Sequence, residues 1–253
     1  MKVTFLGTGT SQGVPVIGCN CEICSSLDFR DKRLRSSVHL EIGDKSLVID
    51  TGPDFRQQML RERISSLDGI LYTHEHKDHT AGLDDIRPFN FSQEKDMPIY
   101  GQLPVLNQIK KEFSYIFTGH RYPGIPMVQT HEIENKPFEV EGIPIIPIKV
   151  LHYKLPVFGY RIKDFTYITD ANYIGPDELK KIDGTKVLVL NALQNKEHIS
   201  HFNLSQALEI VRQIRPEKSY FTHVSHKLGR HSVVESSLPE NVFLAYDGLK
   251  LTL

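Results

Sequence analysis

The segment from residue 74 to 79, His-Glu-His-Lys-Asp-His, follows an apolar stretch and concentrates side chains that bind metal ions. Residues two apart in an extended segment point the same way, so His74 and His76 can bind one ion together. Asp78 and His79 lie in the bend that follows and can reach a second ion. Neutral imidazole and carboxylate suit zinc, manganese and iron. The spacing favours a metal site over a polar surface loop.

Further metal ligands are available at the ends of three other predicted strands. His152, Asp170 and His223 each come directly after a short apolar run. Loops at strand ends are the usual position of functional side chains on a rigid scaffold. Asp170 has two carboxylate oxygens and could bridge two ions. A pair of metals is suited to activating water against a phosphoryl or acyl centre.

A second cluster is formed by the three cysteines, which all lie within six residues, at Cys19, Cys21 and Cys24. Such a tight cluster cannot form a set of spaced disulfides, and in a reducing compartment it indicates metal binding. A tetrahedral structural zinc needs a fourth ligand, and His226, three residues after His223, is available. The alternative is a group of reduced thiols without metal.

Composition narrows the class of protein. Among 253 residues, Lys plus Arg is 30 and Asp plus Glu is 31, which gives a net charge of −1. This balance argues against a strongly basic nucleic-acid binder and against a polybasic membrane anchor. No apolar run approaches the roughly 18 residues that a membrane span needs, and the first residues lack secretory character. We therefore expect a cytoplasmic protein with one domain over 1–253.

Alternation of polar and apolar residues predicts an early hairpin from residues 37–42 and 45–50. His39 falls opposite the apolar positions of the first arm and is predicted to be solvated. Asp247 and Gly248 predict a turn that closes a final hairpin. Hairpins early in the chain and strand–helix alternation later indicate sheets covered by helices.

Apolar residues at helical spacing predict a helix over 204–214, and composition predicts helices over 54–63 and 103–113. Residues 87–97 and 113–124 are predicted to be irregular. The second of these is rich in aromatic residues. It is interpreted either as a flap over a site or as a loop packed on the core or on a partner subunit.

The pattern His-x-His-x-Asp-His, with a later His, an Asp and a final His, resembles the metallo-β-lactamase fold superfamily. The segments 7–11, Gly-Thr-Gly-Thr-Ser, and 48–52, Val-Ile-Asp-Thr-Gly, are similar to that superfamily too. The resemblance extends over nearly the whole chain. It implies an α/β fold of four layers, an αββα sandwich, with the metals at one edge.

The same resemblance implies a ligand set. It implies one ion on His74, His76 and His152. It implies a second ion on Asp78, His79 and His223. Asp170 would bridge the two ions, and Asp50 would orient a ligating histidine. The ions would be zinc or manganese, or else iron.

The cysteine cluster, together with the His-x-x-His at 223–226, resembles the PhnP-type cyclic phosphodiesterases. Flavodiiron-type oxidoreductases carry Glu where this chain has His76, so a hydrolase is favoured. The resemblance implies a structural zinc on the cysteines and His226. It also implies a general acid or base at His201, with Asp78 as a further catalytic residue.

Some assignments stay open at this level. His198 competes with His201 for the catalytic role, and Ser205 could assist with phosphate. The basic residues that could bind phosphate are Arg56, Arg87, Lys154 and Arg230.

The expected function is a dinuclear-metal-dependent phosphodiesterase in which metal-activated water converts a phosphodiester to a monoester. A cyclic phosphodiester is the favoured small-molecule substrate, no membrane partner is expected, and the resemblance suggests a homodimer. One alternative is ribonuclease Z-like RNA processing, which the net charge and the lack of a long Gly/Pro-rich arm disfavour. Others are thioester or lactam hydrolysis, or a non-catalytic zinc protein.

Overall fold

A computed structural model describes residues 1–118 and 124–253, and strands and helices alternate through both ranges. The strands are β1 (Lys2–Gly7), β2 (Ser37–Ile42), β3 (Lys45–Ile49), β4 (Gly69–Leu71), β5 (Met97–Gly101), β6 (Val128–Glu132), β7 (Phe138–Val140), β8 (Ile143–His152), β9 (Leu155–Ile162), β10 (Phe165–Tyr167), β11 (Tyr173–Ile174), β12 (Val187–Asn191), β13 (Lys218–Thr222), β14 (Val242–Leu244) and β15 (Lys250–Thr252). The α-helices are α1 (Phe55–Glu62), α2 (Lys77–Thr80), α3 (Arg87–Gln93), α4 (Leu103–Glu112), α5 (Pro176–Ile182), α6 (Leu204–Ile214) and α7 (His231–Ser237). None of the helices in these ranges is long and apolar enough to cross a membrane.

The strands form two mixed sheets with similar plans. The first sheet has the order β15-β1-β2-β3-β4-β5-β6, and the second has the order β11-β8-β9-β10-β12-β13-β14, with β7 pairing β8. In each sheet the strands on one side are antiparallel. On the other side of each sheet, four neighbouring strands are parallel. They are β3, β4, β5 and β6 in the first sheet and β10, β12, β13 and β14 in the second. Parallel neighbours need crossover connections, and these place helices on the outer faces.

The apolar side chains are divided among three layers of packing. The inner faces of the two sheets meet through buried residues such as Phe5, Ile49, Tyr160 and Val189. On the outer face of the first sheet, α1, α3 and α4 contribute Phe55, Phe89 and Ile109. On the outer face of the second sheet, α5, α6 and α7 contribute Ile182, Ala207 and Val234. The predicted four-layer αββα sandwich is confirmed.

Two predictions about local structure are wrong. Residues 87–97 contain α3, which begins at Arg87 with Pro88 in its first turn. Asn90 interrupts the apolar pattern, yet it is buried because its amide donates to the carbonyl oxygens of Lys95 and Met127. The final hairpin does not form either. Strand β15 pairs with β1 of the first sheet, whereas β14 pairs with β13 of the second, so the predicted turn carries the chain between sheets.

The aromatic segment 113–124 lies partly outside the described residues, which stop at 118 and resume at 124. Its first part forms a single short turn over Ser114–Ile116. Phe113 and Phe117 pack against the core of the first sheet. For this part, packing on the domain's own core is the interpretation that holds.

The prediction that His39 is solvated is wrong, because the ring is only 4% exposed. The Ser46 hydroxyl donates to the Ser66 carbonyl oxygen, so His39 Nε2 donates its proton to Ser46 Oγ at 2.7 Å. Burial lowers the pKa of His39 from 6.5 to about 4. The folded protein therefore resists protonation at a group that the unfolded chain protonates readily.

We expect acid to weaken the fold through His39. A histidine with a lowered pKa contributes stability that is present above pH 6.5 and is lost as the pH falls toward 4. Between pH 7 and 4.5 this loss is about 2 to 3 kcal/mol. In His39→Gln, which keeps a donor for Ser46, urea unfolding should show a correspondingly smaller loss. Equal losses in wild type and variant would contradict this prediction.

Candidate active site

Three histidines gather at the edge of the sandwich where β4 and β8 end. His74 follows β4 and is fully buried, His76 precedes the short helix α2, and His152 ends β8. The ring centroids are 4.5 Å apart for His74 and His76, and 5.1 Å apart for His76 and His152. One nitrogen from each ring lies within 4.8 Å of the others. The structure thus brings together the trio predicted for one ion.

A second group lies beside the first. Helix α2 carries Asp78 and His79, and His223 follows β13. These three residues offer ligand atoms within 4.8 Å of one another. The distance from His79 Nε2 to Asp78 Oδ2 is 3.2 Å. This group is the trio predicted for the other ion.

Asp170 lies between the two groups. Its Oδ2 is 3.2 Å from His79 Nε2 and 3.3 Å from His223 Nδ1. It also shares a cluster of possible ligand atoms with His74 and His79, and its side chain is almost completely buried. One carboxylate is therefore adjacent to both trios, which is the position that a bridging ligand needs.

An unusual backbone conformation sets the direction of three side chains at the site. Asp50, Asp170 and His223 all have positive φ, at 64°, 54° and 54°. The left-handed region is unfavourable for residues other than glycine, so the surrounding contacts must hold them there. For His223 these contacts are the hydroxyls of Ser36, 3.1 Å from Nδ1, and Thr10, 3.4 Å from Nε2.

Asp50 orients His79. Its carboxylate accepts hydrogen bonds from the backbone N–H and the hydroxyl of Thr73, both at 2.8 Å, and from His79 Nδ1 at 2.7 Å. The Asp50-Thr51-Gly52 loop packs closely on α2, since a Cβ on Gly52 would lie 2.2 Å from the carbonyl oxygen of Asp78. These contacts leave His79 Nε2 facing the site.

The donor set fits two divalent ions. The Nε2 atoms of His74 and His79 are buried without a hydrogen-bond partner, which is costly unless an ion or ligand binds them. Four ligands each about 2.1 Å from a tetrahedral ion would lie about 3.4 Å apart. The observed separations of 3.2 and 3.3 Å around Asp170 Oδ2 are close to this value.

The electrostatics also favour cations. Burial raises the pKa of Asp170, but His223 and His79 outweigh it and hold the pKa well below the usual range. Burial lowers the pKa of His74 and His223. Ionised Asp170 therefore lies beside the neutral rings of His74 and His223, the protonation states that metal binding requires. Burial lowers the pKa of His79, but Asp78, Asp170 and Asp50 outweigh it and raise that pKa well above its usual range, so a bound metal ion would have to displace a proton from this ring.

The cysteine cluster fits a separate tetrahedral ion. The Sγ atoms of Cys19, Cys21 and Cys24 each lie 3.4 Å from His226 Nδ1. Sulfur and nitrogen ligands of one tetrahedral zinc lie about 3.5 Å apart. A hydrogen bond from the backbone N–H of Cys24 lowers the pKa of Cys21 to about 6, which favours the thiolate. Burial raises the pKa of Cys24 to about 11, so a bound cation is needed for these thiols to ionise together. Four protein ligands leave no open position, as in structural zinc sites.

Of the two candidate catalytic histidines, His201 lies nearer the centre. It is 7% exposed, and its Nδ1 lies 3.8 Å from Asp170 Oδ1. Its ring centroid is 4.5 Å from that of His152 and 4.9 Å from that of His223. The ring of the exposed His198 lies tilted against that of His201, with the two centroids 5.2 Å apart. Ser205 hydrogen-bonds to Asn203 at the start of α6 instead.

The protonation state of His201 differs from the sequence-based expectation of a pKa near neutrality. Burial lowers its pKa to about 3, and the nearby Asp170 offsets this only in part. The ring is therefore neutral at pH 7 before substrate binds. Its buried Nδ1 has no hydrogen-bond partner among the described residues and is free for a ligand.

The four basic residues considered for phosphate binding lie in different places. Arg56 lines a groove between α1 and α3, Arg87 pairs with Asp84, and Arg230 pairs with Glu22. Lys154 lies on the hairpin that follows His152, with its ammonium 5.3 Å from the Tyr153 ring centroid. Of the four, only Lys154 belongs to a turn that follows a metal-ligand candidate.

Sequence reasoning missed the contacts that position His223. Thr10 lies in the Gly-Thr-Gly-Thr-Ser segment, so that motif was an available signal. Ser36 had no comparable signal, because a single serine before a strand is unremarkable without the fold.

Comparison with known proteins agrees with this geometry. Residues 45–224 match the model of the beta-lactamase superfamily domain. The crystal structure of a new diphosphatase from the PhnP family is 39% identical, with a TM-score of 0.93 over 100% of this chain and 97% of that one. The zinc-bound structure of PqqB from Methylobacterium extorquens is 20% identical, covers 100% of both chains and has a TM-score of 0.79.

A curated octanoyltransferase from Porphyromonas gingivalis is 39% identical over 254 residues, which are 99% of this chain but 51% of that protein. The chain thus spans about half the length of this relative. The family model covers well over half of the chain, and the PhnP-family structure aligns along nearly all of both chains. The chain therefore belongs to the beta-lactamase superfamily and, within it, to the PhnP family.

Proposed function

We propose that this protein is a dinuclear-metal-dependent hydrolase that cleaves a phosphodiester to a monoester. The observation that carries the proposal is Asp170, whose carboxylate lies between two metal-ligand trios with His201 beside it. When bound, two divalent ions would activate water and neutralise charge on the phosphoryl oxygens. Zinc and manganese both suit these ligands, and zinc suits the cysteine cluster.

The side chains of the chain have distinct roles in this proposal. His74, His76 and His152 would hold one ion, Asp78, His79 and His223 the other, and Asp170 both. Asp50 keeps His79 in the tautomer that presents Nε2. His201 touches the space next to Asp170, and its ring is neutral before substrate binds. The negative charge of a bound phosphodiester would raise the pKa of this ring, and the protonated form can pass its proton to an oxygen that leaves phosphorus.

A second candidate is hydrolysis of a diphosphate, which the similarity to a PhnP-family diphosphatase supports. In both substrates the attacked phosphorus loses one bridging oxygen. The leaving group of a diphosphate is a phosphate, whose second pKa of about 6 lets it depart without a proton donor. An alkoxide from a cyclic phosphodiester needs that donor, so the two candidates place different demands on His201.

We do not extend the activity named for the octanoyltransferase relative to this chain. Because that relative is about twice as long, we propose that octanoyl transfer belongs to its unmatched half. The site described above offers imidazoles and carboxylates, and the three thiols converge on His226 instead. No octanoyl transfer is expected from this chain.

His201→Ala tests the proposed role directly. With 2′,3′-cyclic AMP, whose leaving group is an alkoxide, kcat should fall about 100- to 10,000-fold because the proton donor is gone. With bis-p-nitrophenyl phosphate, whose leaving group is already stable, the fall should be smaller. Steady-state kinetics on zinc- and manganese-loaded protein measure both.

His131→Ala is a matched control, because His131 lies on β6, stacks on Tyr100 and belongs to none of the possible ligand clusters among the described residues. It should retain wild-type rates. Equal losses on both substrates in His201→Ala would rule out proton donation to the leaving oxygen. Absence of wild-type turnover on any phosphodiester would overturn the proposed function.

A further inference from the structure

A groove of about 150 Å³ lies between the metal-ligand trios and the cysteine cluster. It separates the N-terminal loop from the loops that follow β12 and β13. Its polar lining includes Thr10, Ser11, Gln12, His198 and Lys227, together with the proposed zinc ligand His226. Apart from His226, none of these residues has a ligand role in the proposed metal sites.

The groove begins at the active site. Thr10 lines it, and the Thr10 hydroxyl is 3.4 Å from His223 Nε2. His198 lines it too, with its ring centroid 5.2 Å from that of His201. A substrate whose reacting phosphorus lies between Asp170 and His201 could therefore extend into the groove.

The groove is suited to an anion. Lys227 is exposed and makes no salt bridge within residues 1–118 and 124–253. None of the residues that line the groove is acidic. In the turn closed by Gly13 N–H and the Thr10 carbonyl oxygen, the backbone N–H groups of Ser11 and Gln12 have no protein acceptor in the described structure. Free N–H groups beside a lysine form an anion-binding surface.

Resting on the proposed function, we propose that this groove binds the leaving phosphoryl group of a diphosphate diester, with Lys227 as its cationic ligand. Water forms a bond to the phosphorus at the metal-ligand trios, and the bond from that phosphorus to the bridging oxygen breaks. The bridging oxygen keeps the electron pair and leaves on the second phosphate. The two protons of water pass to the two monoester products or to solvent.

The test compares diadenosine diphosphate with bis-p-nitrophenyl phosphate, which has no second phosphoryl group. In Lys227→Gln, the ratio of kcat/KM for the diphosphate to that for the monophosphate diester should fall at least tenfold. Lys227→Arg, which restores the charge, should recover most of that ratio. Lys196→Gln is the control, because Lys196 lines the adjacent cavity and not this groove. Its ratio should stay within twofold of wild type.

Zinc content is measured in each variant, because Lys227 follows the proposed zinc ligand His226. An unchanged ratio in Lys227→Gln would overturn the subsite, and so would equal losses on both substrates with loss of zinc. Wild-type turnover of the monophosphate diester without turnover of the diphosphate would overturn the subsite and leave the proposed function standing. Turnover of neither substrate would overturn both.

Discussion

Asp170→Ala is expected to abolish turnover and to deplete both catalytic metals while the cysteine-bound zinc remains. The carboxylate shares a cluster of possible ligand atoms with His74 and His79, which belong to different trios, and its Oδ2 lies 3.2 to 3.3 Å from His79 Nε2 and His223 Nδ1. Activity should fall more than about a thousandfold, beyond what loss of a single transition-state donor costs.

Metal analysis and phosphodiester turnover on the same preparation measure this prediction. Asp177→Ala is a matched control, since Asp177 lies exposed at the start of α5 and pairs with Lys180. It should keep all metals and wild-type activity. Retention of all three metals in Asp170→Ala would refute the bridging assignment.

Cys21→Ser should lower stability and, through it, disturb the active site. The Cys21 Sγ lies 3.4 Å from His226 Nδ1, and the same loop carries His223. That loop is tied to the N-terminal segment, where Val224 N–H donates to Thr8 and Thr10 N–H donates to Val224. Loss of the zinc would release His226, the residue through which the zinc fixes this loop. A loss of about 3 kcal/mol or more would lower Tm by about 6 to 12 °C.

Differential scanning calorimetry with zinc analysis measures the effect. Ser25→Ala is a suitable control, because Ser25 is an exposed neighbour and its hydroxyl makes no hydrogen bond in the described structure. Unchanged Tm with normal zinc content in Cys21→Ser would refute the structural-zinc assignment.

The clustering of the candidate metal ligands was predictable from sequence because their type and position are local signals. A histidine or aspartate that follows an apolar run marks a strand end, and the ends of β4, β8, β10 and β13 meet at one edge. The alternation of strands and helices predicted sheets covered by helices, and the resemblance to the metallo-β-lactamase superfamily implied the four-layer arrangement. Which ligand atoms share an ion depends on distances across two sheets, and only the structure supplies these.

Other features depend on tertiary contacts that no local pattern contains. His39 occupies a polar position in its strand but is buried, because Ser46 satisfies its Nε2. The last strand leaves β14 for the other sheet because Asp247 is held by the Thr8 hydroxyl and the Leu34 N–H. The groove at Lys227 arises where residues about 200 positions apart come together. The last two results require contacts between segments distant in sequence, whereas the burial of His39 depends on how its hairpin is covered in the fold.

The most direct measurement of the central claim is hydrolysis of bis-p-nitrophenyl phosphate by the metal-loaded protein in ¹⁸O-water, followed by mass spectrometry. We predict p-nitrophenyl phosphate that carries one ¹⁸O atom, with unlabelled p-nitrophenol, because water attacks phosphorus. Product formation no faster than with Asp170→Ala, or label in the p-nitrophenol, would contradict a two-metal site that hydrolyses phosphodiesters.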